Sequence, residues 1–471
     1  MKVKTCILAI SFLTLSNWLW AQDVQRLSER QIIGSARYVS MGGAMNAIGG
    51  DPSAVLNNPA GLGLYRRSEI ALTVDVAIDC TQQAASPDTH QRLRWELPQL
   101  SAIWAWGDHN KQRGLIFSSL MFSINRLVNF NRDIVVKGSG MGMVSTICNI
   151  TNDQGGLSEE SLQNKPWNDI EIGWLSILGY ESYLINPIDN NQWEPAVDFN
   201  DGFLSVSESG TYDQYTLAWG GNINNQWYVG LNINVPTLSY TKHTLQYETN
   251  SIHSAKLKSL YHLSGVGIGS SIGLIYRPIQ SLRIGAAIHT PTAMSISAQT
   301  EGEMYSIINT QHYDISTPAS GVISTKIESP LRTSIGIAGQ IRNIGLLALQ
   351  YDHAHSTGMD DVHTLRVGAE TQVYEGVFIN AGYVYESSFM KEDPVWMLGY
   401  NEMRTDMDYR YTEMSQYASA GIGYRSARVV AQIAYQYCWQ KINQYATETQ
   451  AIPMDVHTQT HRIVATLAWR F

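Results

Sequence analysis

Alternation is the feature that most constrains this fold. Over the last ten residues Ile463, Ala465, Leu467, Trp469 and Phe471 are apolar or aromatic. Arg462, Thr466 and Arg470 lie between them with Val464 and Ala468. A period of two with one apolar face describes a half-buried strand. The pattern recurs upstream. Trp227, Val229, Leu231, Ile233 and Val235 oppose Tyr228, Gly230, Asn232 and Asn234. Val266, Ile268, Ile272, Leu274 and Tyr276 oppose Gly265, Gly267, Gly269, Ser271 and Gly273. Leu365, Val367, Ala369 and Val373 oppose Arg366, Gly368, Glu370 and Gln372. Spans near 98–126 alternate poorly.

Composition says what such strands face. Of 471 residues only 15% are charged, while 25 are Tyr and 13 Trp. A soluble chain tends toward about a quarter charged residues. Yet mean hydropathy is −0.16, and beyond the amino terminus nothing supplies the ~20 continuous apolar residues of a membrane helix. Both facts fit a chain that crosses a bilayer with alternating strands, which hide apolar residues from hydropathy averages. A net charge of −9 without a basic cluster argues against a nucleic-acid partner. At the amino terminus Lys2 and Lys4, the apolar run 7–15 and Leu19-Trp20-Ala21 read as a secretory signal over 1–21. Cys6 would leave with it. Cys80, Cys148 and Cys438 are too few for a disulfide framework, though one pair can form.

Fourteen spans carry the strand pattern: 68–78, 98–107, 114–126, 212–222, 226–240, 262–277, 281–299, 321–341, 344–355, 361–373, 377–390, 415–425, 428–440 and 460–471. Their connections alternate short and long. Turns near 108–113, 223–225, 278–280, 342–343, 374–376 and 426–427 face longer segments near 79–97, 127–211, 241–261, 300–320, 391–414 and 441–459. Only 356–360 departs from the rule. Short turns on one side and long loops on the other predict an all-β, transmembrane antiparallel barrel of about 14 strands, both ends in the periplasm. Tyr383, Tyr385, Tyr435, Tyr437 and Trp469 then fall near strand ends, where interfacial aromatics belong.

Two segments do not read as wall. Residues 22–67 contain Gly42-Gly43, Gly49-Gly50 and the turn-rich Asn57-Asn58-Pro59-Ala60-Gly61. Such small residues suit tight packing inside a lumen, as a hatch ahead of a barrel over 68–471. Residues 127–211 are too long for a hairpin loop. Within them Ile170, Trp174, Ile177 and Leu178 recur at helical spacing, so a helix there needs an apolar partner.

The run ARYVSMGGAMNAIGGDPSAVLNNPAGLGL, centred on Asn58-Pro59-Ala60, resembles the plug of the FadL family of outer-membrane transporters for long-chain fatty acids and other hydrophobic compounds. Further similarity lies in 265–292, 329–356, 363–385 and the terminal strand, covering nearly all of the mature chain. The resemblance implies a fourteen-stranded barrel with an amino-terminal hatch in a Gram-negative outer membrane. It also implies passive transport. A ligand adsorbs between external loops, enters a lumen pocket above the plug and leaves sideways through the wall into lipid. A terminal strand ending on Phe471 implies recognition by the barrel assembly machinery. The chain departs from the family in its long 127–211 segment and in the basic lumen residues that hold a carboxylate.

Candidate residues follow. Gly42, Gly43, Asn58, Pro59, Ala60 and Gly61 are assigned to the hatch, and Trp174 and Tyr183 to capture by the loop. Pro236, inside a strand span, is either a kink that opens the wall or a bulge near a loop. The glycine face at 265–273 either admits the plug or relieves crowding. Arg332 and Arg366, with Arg283 and Arg462, either meet an anionic headgroup or pair with carboxylates as a lumen network. His353 and His355 share a face near a loop, where polar residues are expected, and no metal or cofactor is assigned. There is no GxSxG, no HExxH and no cysteine nucleophile in a helix context, so no enzyme is expected. The principal expectation is uptake of a hydrophobic, fatty-acid-like compound. The alternative is a protein-binding platform, like the FadL-related PorV components of a bacterial secretion system.

Overall fold

In a computed structural model the alternating spans pair edge to edge until the last meets the first. The residues described are 29–84, 89–108, 113–153, 157–163, 166–169, 171–318, 321–341, 345–356, 360–388, 403–450 and 452–471. The expected signal segment and Ile170 lie outside them. The wall begins with β1 (Glu69–Gln83), β2 (Thr89–Gly107) and β3 (Leu115–Asn129). After β4 (Arg132–Ser139) and a short hairpin of β5 (Ile185–Ile188) and β6 (Gln192–Pro195), it resumes. There β7 (Asp201–Ile223), β8 (Trp227–Thr249), β9 (Ser254–Ile279) and β10 (Leu282–His289) follow. Next come β11 (Ala293–Ile308), β12 (Gln311–Ser316), β13 (Gly321–Glu328) and β14 (Leu331–Ile341). The circuit ends with β15 (Gly345–His355), β16 (Val362–Tyr374), β17 (Val377–Ser387), β18 (Tyr409–Arg425), β19 (Val429–Tyr445) and β20 (Met454–Arg470).

All these pairings are antiparallel, and β20 closes on β1 with Ile70 opposite Trp469 and Leu72 opposite Leu467. Around the ring run β1, β2, β3, β7, β8, β9, β10 and β14 through β20, fourteen strands in all. Two of them continue upward past a proline. β10 and β11 flank Pro291, β14 and β13 flank Pro330, and His289 opposite Arg332 keeps the register of Ala293 opposite Glu328. Proline has no N–H to give the ladder, so the rung is lost while the register survives.

Facing agrees with the sequence pattern. Leu231, Ile272, Ile335, Val367 and Leu467 point outward, whereas Asn232, Ser271, Gln350, Arg366 and Gln436 point inward and are buried. No described helix is long and apolar enough to cross a membrane; the apolar band on the strands takes that role. Stacked Trp227 and Tyr276, 4.1 Å apart, sit beside the turns of the amino- and carboxy-terminal end.

Several strands are longer than expected, chiefly at the far end. β7 and β8 have 23 residues and β9 has 26, about twice what a tilted strand needs to cross. Segments 79–97, 241–261 and 300–320, expected as loops, are therefore largely strand. Residues 127–211 also contain β4 and the first half of β7. Above the bilayer an outward residue meets water, so hydrophobic alternation fades although pairing continues.

The rest of 127–211 folds into a cap. Helices α2 (Met143–Asp153), α3 (Glu159–Leu162) and α4 (Trp174–Glu181), numbered after hatch helix α1 (Ala36–Ser40), gather around Ile147, Ile177, Leu178 and Trp193. They find their apolar partner on the extended wall, at Leu257 of β9 and Met304 of β11.

Candidate functional site

The lumen is filled by residues 29–67, and its filling is built on small residues. Ser35 caps α1 by accepting from the Tyr38 N–H at 3.1 Å. Gly42 and Gly43, at φ of 60° and 67°, then turn the chain in the left-handed region. Asn58 caps the next turn, its Oδ1 accepting from the Ala60 N–H at 3.0 Å. Pro59 occupies the first position of that turn, where a missing N–H costs nothing. The Asn58 amide also donates to the carbonyls of Asn46 at 2.9 Å and of Leu274, on β9, at 3.2 Å. Gly61 abuts Gly49.

Wall glycines receive this body. A Cβ at Gly230 would overlap Pro59, at Gly273 Asn58, at Gly285 Asn46, at Gly368 Met41 and at Gly382 Gly42. With Gly220 against Leu62 and Gly421 against Ser40, at least seven strands bring bare backbone to the hatch. Of the glycine face singled out in β9, only Gly273 does so; Gly265 and Gly267 lie against Ile296 and Met294 of the neighbouring strand, and Gly269 against Thr292 just before it. On the opposite side polar side chains replace the glycines. Ala36 N donates to Thr466 Oγ1 at 2.7 Å, and Ser53 Oγ to Gln99 Oε1 at 2.9 Å. Low in the barrel, Arg37 grips Glu370 with two bonds of 2.8 and 3.0 Å, and Arg425 grips the same carboxylate.

Above the hatch lies a cavity of about 50 Å³. Its floor includes Tyr38 and Leu56, and its wall His289, Arg332, Asp352, Arg366 and Glu386. Arg366 Nε donates to Asp352 Oδ2 at 2.7 Å, while its Nη1 is buried with no hydrogen-bond partner. Arg332 and Arg366 are thereby brought to one cavity, and Arg30 and Arg126 join them there. Arg283 and Arg462 instead bind hatch carbonyls, of Ile48 at 2.8 Å and of Ile32 at 3.3 Å. The cavity has room for only a few waters, so an acyl chain requires the hatch or its neighbours to move.

The mouth is closed twice. Beneath the cap, residues 403–408 cross the lumen as a strap. Lys242 of β8, side chain 2% exposed, binds Asp406 and Asp408 at 2.7 Å each, and Arg404 adds a bond of 2.7 Å to Asp406. Burial alone would push the Asp406 carboxyl up, but the charges of Arg404 and Lys242 outweigh it and hold the group well below the usual carboxylate range. Trp174 lies in the cap's core, 3% exposed, donating to the Trp167 carbonyl at 3.1 Å. Tyr183 is 57% exposed at the rim and packs on Tyr313 at 4.5 Å. Loop capture would therefore fall to Tyr183, with Trp174 holding the cap together.

Pro236 keeps its place opposite Gln214 of β7, but the ladder to β9 omits Val235 and Pro236. Between β2 and β3 the register ends altogether at Gln99 opposite Asn125, just below Pro98, where β1 opposite β2 also slips by one residue. His353 and His355 share the carboxylate of Asp361 at 3.1 and 2.6 Å. Among the described residues no group of three or more His, Cys, Asp or Glu is arranged to hold a metal. The three described cysteines are unpaired. Lys242 and Glu96 escaped the sequence reading, although inward parity along their strands places both in the lumen; Arg126 escaped it too, because it shares the outward parity of Leu120 and Phe122 in its strand.

No protein-family model and no curated protein sequence matches this chain. Solved structures do. The chain is similar to a Pseudomonas aeruginosa FadL homologue, at TM-score 0.54 and 11% identity over 94% of this chain and 99% of that one. It is also similar to the monoaromatic hydrocarbon channel CymD, at TM-score 0.53 and 13% identity over 94% and 99%. The Ralstonia pickettii toluene transporter TbuX follows at 0.53 and 13% over 93% and 99%. The fold is thus FadL-like, a fourteen-stranded barrel around an amino-terminal filling.

Proposed function

We propose that this protein is an outer-membrane channel for passive uptake of hydrophobic compounds of the long-chain fatty acid kind, and not an enzyme. The observation that carries the reading is the lumen: a barrel with a lipid-facing wall, filled by a separately seated hatch beneath an arginine-bearing cavity. The neighbours in fold, described as a FadL homologue, a hydrocarbon channel and a toluene transporter, support the same class. A chain with an acid head suits the unpartnered Nη1 of Arg366 better than a bare hydrocarbon does, since a buried donor gains from any acceptor. An acyl chain gains about 0.8 kcal/mol per buried CH₂, so lateral delivery into lipid is favoured over release to water. Tyr183 would meet the ligand first, the cavity with Arg332 and Arg366 would hold it, and the hatch turn Asn58-Pro59-Ala60 would gate it. Weakened ladders at Pro236 and at β2–β3 are the candidate exits. The outer-membrane lipid then receives the ligand, and the barrel assembly machinery would read the strand ending at Phe471.

The test is uptake of labelled oleate and labelled toluene by a host lacking its own transporters. Oleate uptake above empty vector supports the reading, and toluene uptake alone would move the substrate class to hydrocarbons. A second reading has one observation in its favour: the cap has its own apolar core on strands that stand far above the bilayer. That surface would suit a PorV-like platform for protein cargo. It gains ground if the folded barrel takes up neither compound.

A further inference from the structure

From a recess in the lipid-facing wall and the cationic turns beside it, we infer a binding site for one anionic phospholipid, outside the lumen and independent of the hatch. The inference takes from the uptake reading only its outer-membrane setting. From β18 through β19 and β20 to β1 the outward residues stand in rows, one to a strand. Tyr424, Ala431, Leu467 and Leu72 form one row, and Ile422, Ile433, Ala465 and Val74 the next. The two alanines are half-buried, while Ile433 and Leu467 beside them are 56% and 62% exposed. Between the large side chains the wall therefore sinks into an apolar groove of about 500 Å³. That is ten times the cavity above the hatch, and within the ~300–1,000 Å³ of sites that hold one small molecule. An acyl chain fits here with no element moving.

Charge says which molecule carries that chain. One further row, Val429, Trp469 and Ile70, separates the groove from the turns, and Trp469 stands where interfacial aromatics belong. Beyond it Arg67, just ahead of β1, and Arg428, just ahead of β19, are exposed. Arg67 Nη1 donates to the Ala427 carbonyl at 2.6 Å, which draws the two turns together. Glu69 is already taken by Arg470 at 2.6 Å, and Glu370 by Arg37 and Arg425. Among the described residues no ion pair reaches Arg67 or Arg428. Two unneutralised guanidiniums beside an apolar groove match a phosphate on an acyl chain, since the planar fork fits phosphate oxygens and basic clusters at the membrane surface hold anionic headgroups. At ~3.3 Å per residue the arginine turn lies about 10 Å along the strand from Ala431, a span that glycerol and the first acyl carbons bridge. These turns are at the end expected on the periplasmic side, where the leaflet is phospholipid. A second copy of the chain is the poorer occupant. In a two-fold pair the same patch faces itself, so groove would meet groove and each arginine its own copy.

The test is native mass spectrometry of the purified full chain, released from detergent with dioleoyl phosphatidylglycerol, dioleoyl phosphatidylethanolamine or oleate added. One phosphatidylglycerol per barrel should be retained, about fivefold more often than either other lipid. Ala431→Phe with Ala465→Phe fills the groove while keeping the wall apolar, and Arg67→Gln with Arg428→Gln removes the charge. Heat-modifiable migration in gels checks that both variants fold, and if the filled groove does not, the arginine pair decides alone. Each pair of substitutions should cut retention of phosphatidylglycerol about fivefold or more. Unchanged retention in a folded variant would overturn the site. Oleate held as well as the phospholipid would assign the groove to free fatty acid, and a dimer abolished by the alanine substitutions would assign it to a second copy; either result overturns the proposal. The measurement involves no transport, so its failure leaves the uptake reading standing, and failed oleate uptake leaves this site standing.

Discussion

The amide of Asn58 holds groups from three parts of the molecule: the turn it caps, the Asn46 carbonyl inside the hatch and the Leu274 carbonyl on the wall. It can do so because Gly273 offers no side chain where the amide sits. Gly273→Val should displace Asn58 and Pro59, at an overpacking cost of about 1–3 kcal/mol, without disturbing the outward face. The expected result is a barrel that still resists unfolding by heat in gels but conducts ions more readily in planar bilayers. Unchanged conductance would mean that the hatch is seated by other contacts. Glu370→Gln should act on the same body from below. It leaves the Arg37 and Arg425 guanidiniums without their shared charge, at a cost of about 3 kcal/mol. Faster amide exchange over α1 would register the loss; an unchanged rate would show that the ion pairs only decorate the seat. Of these residues the Asn58-Pro59-Ala60 turn was legible in the sequence, because its chemistry is local. Glu370 and Gly273 were assigned to the correct face but not to their hatch partners, Arg37 and Asn58, because those lie more than 200 positions away.

At the scale of elements, the strap and the cap cover the mouth. Lys242→Met would remove the cation that Asp406 and Asp408 share in a buried site, leaving Asp406 to Arg404 alone and destabilising the strap by about 3 kcal/mol. Single channels of this variant should open more often than those of the parent, and equal opening would remove the strap from the gate. Acid should not mimic the substitution. The folded Asp406 carboxyl titrates below its unfolded value of about 4, so its contribution is complete above that value. It is lost only as pH falls toward the folded one, so parent channels should behave alike between about pH 5 and 8. The cap can be tested through Cys148, whose thiol burial pushes up to about 12, leaving little thiolate at neutral pH. Iodoacetamide should leave it unmodified in the folded protein, and rapid labelling would show that the cap opens. Helix α4 was foreseen from Trp174, Ile177 and Leu178. The strap was not, since a buried lysine with two aspartates reads in sequence as ordinary loop polarity.

For the whole molecule, each of the fourteen expected spans overlaps a strand or proline-interrupted strand pair of the closed ring. Lipid imposes that legibility, because every second residue of a crossing strand must be apolar. It ends where lipid ends. The outer halves of β8 and β9 carry Thr241, His243, Lys256 and Lys258 toward water, and with them the period-two signal disappears. The end of the β2–β3 ladder was equally hidden, since a missing partner leaves no mark on the strand that lacks it. The account as a whole requires a hydrophobic ligand inside this ring, above the hatch. The most direct test is photo-crosslinking of the purified protein with a diazirine-bearing fatty acid, followed by mapping of the modified residues. The expected adducts fall on the cavity lining, at Tyr38, Leu56, Leu127 or Ala354. Adducts confined to the outer wall, at residues such as Leu72 or Leu467, would contradict it.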